Sequence, residues 1–205
     1  VTACLEVTPI LLRMGLGSVA TELLSSVHSV LGDTDLLSQW KCTQADIMLA
    51  EQNFTDLHAL FDAQEDSPQS PRDKSQWLLR KGQLALAEER YVDAKQFLDE
   101  AAGFGDSAEI AHARGQSLAA MDEWEGAVTW LERAAQELQN PLERAQAFGD
   151  LGRVLQDLGR ETEAEQALSS AIHIGGNDPH VMAKVHHHRF QGATARLSLD
   201  EARPH

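Results

Sequence analysis

Histidines form the most suggestive chemical cluster in this sequence. His186, His187 and His188 are consecutive, and His173 and His180 lie a few residues before them. Imidazole binds divalent metals and titrates near neutral pH. Three consecutive helical side chains point in three directions, however, and no Asp, Glu or Cys joins them at ligand spacing. We therefore expect a solvated or partner-facing helix rather than a dedicated metal site, and pH sensing stays open as a hypothesis.

Other catalytic patterns are weak. Cys42 falls on a predicted helix without an obvious His partner, so it is interpreted as lining the core or a groove. Gly15 and Gly17 do not follow a strand, which argues against a phosphate-binding loop. Cys4 and Cys42 make neither a disulfide framework nor a zinc pattern, which favours reduced thiols and a cytoplasmic location. We predict that the chain is not an enzyme and needs no cofactor.

The same spacing of Gly, Ala and Leu recurs three times, and it predicts the helices on which any functional site must lie. We call this pattern the repeat frame. It consists of Gly, Ala twelve residues later, Leu four residues after that, and Ala three residues further on. The three copies are Gly82, Ala94, Leu98, Ala101; Gly115, Ala127, Leu131, Ala134; and Gly152, Ala164, Leu168, Ala171. The spacing predicts helical hairpins in which Gly and the first Ala lie where two helices cross. The last Ala would face the first helix of the next hairpin.

Helical periodicity gives the extents of these hairpins. The predicted helices are residues 76–88, 91–102, 107–120, 124–138, 141–158 and 161–174. Asn140-Pro141 and Asp178-Pro179 are typical helix starts, in which a capping side chain precedes a proline in the first turn. Gly103, Gly159 and Gly175 suit helix ends.

The frame extends weakly towards the N-terminus, over residues 1–65. Steps of 37 residues back from Ala94 reach Leu57 and Ala20, and Ala45 takes the place of the repeat glycine. Pro9 would interrupt a helix, so we expect the first helix to begin near Pro9 or the first repeat to be a shortened cap. Residues 64–72 form a polar linker, interpreted as an extended loop, with a protease-sensitive hinge or modification site as the alternative.

Beyond the third hairpin, a closing helix is expected within residues 178–198. Asp200, Glu201 and Ala202 resemble the start of a further second helix. The array is therefore expected to continue beyond His205. The start at Val1 rather than Met adds to the expectation that the chain is a piece of a longer protein.

The frame resembles the tetratricopeptide repeat, most clearly over residues 73–174. The resemblance implies an all-α fold, a single-domain, right-handed α-solenoid of about five helical hairpins plus the C-terminal closing helix. It also implies no catalytic residues and a concave face, lined by first helices, that holds a peptide or partner helix. The 37-residue steps are similar to the looser repeats in sensor arms of bacterial transcriptional activators and signalling ATPases.

The resemblance places a partner-binding groove on the first helices. The groove residues are Asp46, Leu49, Gln83, Leu86, His112, Gln116, Arg153 and Gln156. The places that hold Lys–Asn pairs in the clamp for chaperone C-termini hold none here, so binding of a terminal carboxylate is not expected. We predict a scaffold or adaptor module that binds an extended or amphipathic protein segment. The alternative is a regulatory arm of a larger transcriptional or signalling protein that senses a small ligand or peptide.

The net charge of −15, from 17 basic and 32 acidic residues, limits the classes of partner. Such a surface repels phosphate backbones and anionic lipids, so direct nucleic-acid binding is not expected. The acid excess is interpreted as solvation of the outer helix faces, with attraction of a basic partner segment as the alternative. No apolar run is long enough to span a bilayer, so no membrane partner is expected. A homodimer through exposed solenoid ends is a further hypothesis.

Overall fold

The protein is all-α over the residues that its computed structural model describes, namely 2–28, 34–62, 70–176 and 178–201. The chain divides into two compact units, residues 1–106 and residues 107–205. In the described part of the first unit the helices are α1 (Thr2–Arg13), α2 (Gly17–His28), α3 (Thr34–Ala50), α4 (Phe54–Asp62), α5 (Pro71–Ala87) and α6 (Tyr91–Phe104). In the described part of the second unit they are α7 (Ala108–Ala120), α8 (Trp124–Glu137), α9 (Pro141–Asp157), α10 (Glu161–Gly175) and α11 (Pro179–Glu201). The prediction of a single domain stays a prediction.

Capping side chains fix where the first helix of each clear hairpin begins. The Ser70 side chain accepts a hydrogen bond from the Asp73 backbone N–H at 3.1 Å, and the Asn140 side chain accepts from Leu142 N–H at 3.0 Å. Proline is the first residue of both helices, α5 and α9. Ser107 caps α7 in the same way through Ile110 N–H at 3.3 Å. Each cap satisfies a backbone donor that has no partner within the helix.

The same turn joins the two helices of four hairpins, α3–α4, α5–α6, α7–α8 and α9–α10. Each turn contains one residue with positive φ: Gln52 at 55°, Glu89 at 60°, Asp122 at 61° and Gly159 at 72°. These positions are separated by 37, 33 and 37 residues, the spacings of the repeat frame. Gly159 adopts the left-handed conformation without the steric cost that the other three side chains carry. The four connections are therefore structurally equivalent although their sequences differ.

The repeat glycines lie where the two helices of a hairpin cross, as the sequence predicts. A Cβ added to Gly82, Gly115 or Gly152 would lie 2.7, 2.6 or 2.6 Å from the nearest side-chain carbon of the repeat leucine on the second helix. Real Cβ atoms do not approach other atoms so closely, so glycine sets the distance between the two helices. We call these three positions, and Ala45 in α3, the crossing positions.

The repeat alanines are buried, and in the second unit they allow consecutive hairpins to pack closely. Ala134 of α8 packs with Ala147 of α9, the first helix of the next hairpin. Ala171 of α10 packs with Val181 and Val185 of α11. The predicted contact of the last repeat alanine with the next helix is therefore confirmed for both residues.

The N-terminal hairpins of the first unit also bury their predicted anchors. Ala20 packs with Leu5 and Ile47, and Leu57 packs with Trp77 of α5. The expectation that the first helix begins near Pro9 is wrong, because α1 runs from Thr2 through this residue. Proline inside a helix costs about 3 kcal/mol, and burial of Leu5 and Thr8 on α1 offsets part of that cost.

Two boundaries differ from the sequence-based expectations. Helix α11 continues to Glu201, so Asp200 and Glu201 belong to the closing helix and do not start a second one. The linker predicted at residues 64–72 ends earlier, because Ser70 already caps α5; residues 63–69 lie outside the described part of the chain.

Candidate functional site

An ion pair joins neighbouring first helices in the first unit. Arg80 of α5 donates from Nε to Asp46 Oδ1 and from Nη2 to Asp46 Oδ2, both at 3.0 Å. Arg80 Nη1 also donates to the carbonyl and the side-chain oxygen of Gln76 one turn earlier. This bidentate geometry fixes the guanidinium and orients the carboxylate on α3.

Asp150 of α9 is the corresponding centre of the second unit, and two other helices supply its hydrogen bonds. It accepts from Gln116 Nε2 at 2.9 Å and Lys184 Nζ at 2.7 Å, and His112 Nε2 lies 2.9 Å from its Oδ2. An ionised carboxylate only accepts, so the His112 nitrogen that faces it carries a proton. These donors come from α7 and α11, on either side of α9.

Burial and its compensating donors determine the chemistry of Asp150. Its side chain is 8% exposed, and burial by itself would raise its pKa. The hydrogen bond from His112 and the charge of Lys184 outweigh this effect and hold the pKa of Asp150 well below its ordinary value. Asp150 is therefore a permanent carboxylate at neutral pH and a poor general acid or base.

The two centres occupy equivalent positions of the repeat. In each unit, a side chain one residue after the crossing position of one first helix bonds to a side chain two residues before the crossing position of the next. The pairs are Asp46 with Arg80 and Gln116 with Asp150, each 34 residues apart. We call each pair a first-helix bridge. Its recurrence shows that α3 and α5, and separately α7 and α9, are neighbours with the same register.

The eight predicted groove residues are all half-buried. Asp46 and Gln116 belong to the first-helix bridges, and His112 contacts Asp150. Leu49 packs against the core of the first unit. Arg153 instead pairs with Asp157 on its own helix at 3.1 Å, and Gln156 lies against Gly192 of α11.

The remaining two, Gln83 and Leu86, stay half-buried on α5. Three important polar residues were missing from the predicted set: Arg80, Asp150 and Lys184. The signal that could have found them is spacing, because Asp46, Arg80 and Gln116, Asp150, Lys184 form runs with 34-residue steps. Residues one repeat apart on neighbouring first helices are adjacent in a stacked array.

The histidines of α11 separate into two environments. His186 and His187 are exposed, whereas His188 is buried, and burial lowers its pKa. His188 Nδ1 lies 3.5 Å from Gln191 Oε1, and its Nε2 is buried without a hydrogen-bond partner among the described residues. Across the described part of the chain, no three His, Cys, Asp or Glu side chains are arranged to hold a metal ion. The His180 side chain lies outside the described residues.

Cys42 lies in a core cluster with Ala45 and Trp77, which confirms the interpretation that it lines the core. Burial raises the pKa of its thiol to about 11. The thiolate is the nucleophilic form of cysteine, so this side chain is unreactive at neutral pH.

None of the helices in the described residues is both long enough and apolar enough to cross a bilayer. The chain matches no family model, no curated protein and no solved structure. The function must therefore be argued from the two first-helix bridges and their surroundings.

Proposed function

We propose that the chain is a tetratricopeptide-like, right-handed α-solenoid that acts as a scaffold or adaptor by binding a segment of a partner protein. The binding face is formed by the first helices of the hairpins. The observation that carries the proposal is the recurrent first-helix bridge, Asp46–Arg80 in one unit and Gln116–Asp150 in the other. In stacked helical hairpins, such aligned first helices present a continuous row of side chains to a ligand.

The chemistry of these faces suits a peptide more than a small metabolite. Half-buried side chains of mixed type line them, with Leu86 beside Gln83 in the first unit and Arg153 beside Gln156 in the second. Amide and charged groups can satisfy a peptide backbone, and the leucine offers apolar contact. The low pKa of Asp150 and the missing metal cluster among the described residues give no support to acid–base or metal chemistry.

Site-specific photo-crosslinking tests this proposal. A photoreactive residue placed at Gln83 or Arg153 should capture the same protein from a cell extract. The matched control is Val92 on the second helix α6, which is 73% exposed but lies off the proposed face. We expect capture at the two first-helix positions and little at Val92.

The double variant Gln83→Ala plus Arg153→Ala should weaken capture from a third position, Leu86, because truncation removes polar contacts and none of the three positions belongs to a first-helix bridge. Binding hot spots commonly cost at least about 1 kcal/mol on truncation, or about fivefold in affinity. Equal capture at Val92 would contradict the proposal and place the interface elsewhere. Capture of nothing at any position would favour the small-ligand sensor arm.

A further inference from the structure

A small cleft in the first unit lies between α2, α3 and the start of α4. Its volume is about 130 Å³. Leu24, Ile47 and Met48 supply apolar wall, and Trp40 lines the cleft beside them. The Trp40 indole N–H donates to the Leu24 carbonyl at 3.0 Å, which anchors the ring. A cavity of about 150 Å³ is large enough for benzene, so this cleft can enclose a group of four to six heavy atoms.

The polar lining of the cleft is rich in hydrogen-bond acceptors. Glu51 and Asp56 contribute carboxylates. Gln44 also lines the cleft, and its side-chain oxygen is buried without a hydrogen-bond partner among the described residues. A buried acceptor without a donor is unfavourable, and a ligand that supplies an N–H relieves it.

Most side-chain donors around the cleft are already bonded to other acceptors. The Thr21 and Ser25 hydroxyls donate to carbonyl oxygens of their own helix at 3.0 and 2.8 Å. The Asn53 side-chain amide donates to Asp56 Oδ2 at 2.7 Å. None of the described residues that line the cleft is Lys, Arg or His. The cleft therefore presents two carboxylates, with an unsatisfied amide oxygen buried in its wall and no resident cation among the described residues.

We propose that this cleft binds an organic cation, an ammonium or guanidinium group carried on a short aliphatic stem like that of a lysine or arginine side chain. The stem contacts the apolar wall, and the cationic N–H groups donate to Gln44, Glu51 and Asp56. An aromatic ring within about 6 Å of a cation adds a favourable electrostatic contribution, which Trp40 is placed to give. Neutral ligands of the same size lack the donors and the charge that the lining requires.

This site goes beyond the proposed function, because it uses the second helices α2 and α4 together with α3. It does not involve either first-helix bridge. A negative result for one proposal therefore does not contradict the other. Free amines and the basic side chain of a partner protein offer the same chemistry, so the experiment must separate them.

Titration of the ¹⁵N-labelled protein with n-butylammonium chloride tests the site, read from the tryptophan indole N–H signals. The uncharged control ligand is n-butanol, which has the same stem. We expect a saturable shift of the Trp40 signal with a dissociation constant on the order of millimolar, as a ligand of this size allows. Trp124 in the second unit should not respond. No saturable shift of Trp40, or an equal response to n-butanol, would overturn the proposal.

Charge-neutralising variants test the role of the carboxylates. Glu51→Gln and Asp56→Asn should each weaken n-butylammonium binding about three- to fivefold, the size of a partly exposed charge interaction. Glu100→Gln on α6 changes the net charge equally but lies outside the cleft. This variant should therefore bind n-butylammonium as tightly as the unmodified protein. If Glu100→Gln weakens binding as much as Glu51→Gln, the effect is one of overall acidity and the proposal fails. Because Asp56 also interacts with Asn53 at the start of α4, Glu51→Gln is the variant that keeps the test valid if α4 is destabilised.

A blocked Gly-Lys-Gly peptide, compared with its norleucine counterpart, separates the two sources of the cation. Tighter binding of the lysine peptide than of n-butylammonium supports the proposal with a protein side chain as the natural ligand. Weaker binding of the peptide supports it with a free amine. Equal binding of the lysine and norleucine peptides would overturn it, because the charge would then contribute nothing.

Discussion

The two first-helix bridges occupy the same repeat positions and yet differ in chemistry. In the first unit, Asp46 is 35% exposed and forms a bidentate pair with Arg80. In the second unit, Asp150 is 8% exposed and its carboxylate contacts Lys184, His112 and Gln116. Water reaches the Asp46 carboxylate, although the Arg80 side chain is only 14% exposed, whereas the Asp150 carboxylate depends on its protein donors. The repeat thus fixes where the bridge lies and leaves its polarity and burial free to vary.

Helix α11 accounts for much of this difference. It places Lys184 on Asp150 and buries Val181, Val185 and His188 on its side towards α9 and α10. A buried carboxylate is tolerated only when donors surround it, and Lys184 is the cationic one among them. We infer that stability of the second unit depends on the bridge and on α11 together, which the following variants test.

The largest expected effect is the difference in the free energy of unfolding between Asp150→Asn and Asp46→Asn. At position 150 the amide removes the charge opposite Lys184 and sets an N–H₂ group against existing donors, which should cost about 2–3 kcal/mol. At position 46, where the carboxylate is 35% exposed and the amide oxygen of asparagine can still accept from Arg80, the cost should be smaller, about 1 kcal/mol. Urea unfolding of each variant gives the free energies, and hydrogen exchange of α3 and α9 peptides assigns the loss to a unit. Equal losses would contradict the proposed difference in burial.

Acid provides an independent measure of the same bridge. The folded-state pKa of Asp150 lies below its unfolded value of about 4. Its stabilisation is therefore complete above about pH 4 and is lost as the pH falls through the folded-state pKa. Asp150→Asn should abolish this part of the acid dependence, whereas a variant with an unchanged acid profile would contradict the assignment.

The next largest effect concerns the close packing of α9 against α10, the hairpin that carries Asp150. Gly152→Ala places a Cβ 2.6 Å from Leu168 Cγ, the branch point of that side chain, and 3.2 Å from the Ala164 carbonyl oxygen. The helices must separate, which should cost about 1–3 kcal/mol. Gly149→Ala, one turn earlier in α9, meets no atom within 4 Å and should stabilise the helix by about 0.5–1 kcal/mol.

Thermal unfolding of the two glycine variants provides the comparison, since they introduce the same methyl group into the same helix. We expect a lower midpoint for Gly152→Ala and a higher one for Gly149→Ala. Destabilisation of similar size in both would show that helix propensity or flexibility, and not the close crossing, explains the repeat glycine.

Much of the frame could be predicted from the sequence because it depends on local and steric rules. The repeat glycines could be placed at the helix crossings because a residue without a side chain lets two helices approach closely. They are Gly82, Gly115 and Gly152. Asn140 caps α9 because its side chain meets backbone donors two residues away. Such interactions depend on residues near in sequence or on a fixed repeat spacing, so they require no further knowledge of the fold.

The errors concern competition between local and tertiary effects. Pro9 weakens α1 locally, yet burial of Leu5 and Thr8 maintains a helix through it. Asp150 was absent from the predicted groove, because its burial depends on donors 34 and 38 residues away on two other helices. The cleft near Trp40 combines residues of three helices in a pattern that no spacing rule indicated.

The smallest effect expected is a pH response of α11 at His188. Burial lowers the pKa of His188, and Asp150, Lys184 and Arg153 are the charged groups that act on it. Because its folded-state pKa lies below the unfolded value of about 6.5, the unfolded state binds the proton more readily. Docking of α11 should therefore be most stable above about pH 6.5 and weaken as the pH falls below it.

Hydrogen exchange of α11 peptides at pH 7.5 and 5.5, corrected for the intrinsic rate, measures this response. Peptides of α5 in the first unit provide the internal reference. His188→Gln should remove the extra opening at the lower pH, because glutamine does not titrate, while His187→Gln at the exposed neighbour should leave it unchanged. If the response survives in His188→Gln, the acid sensitivity of the second unit has another origin and the contrast between the two units rests on Asp150 alone.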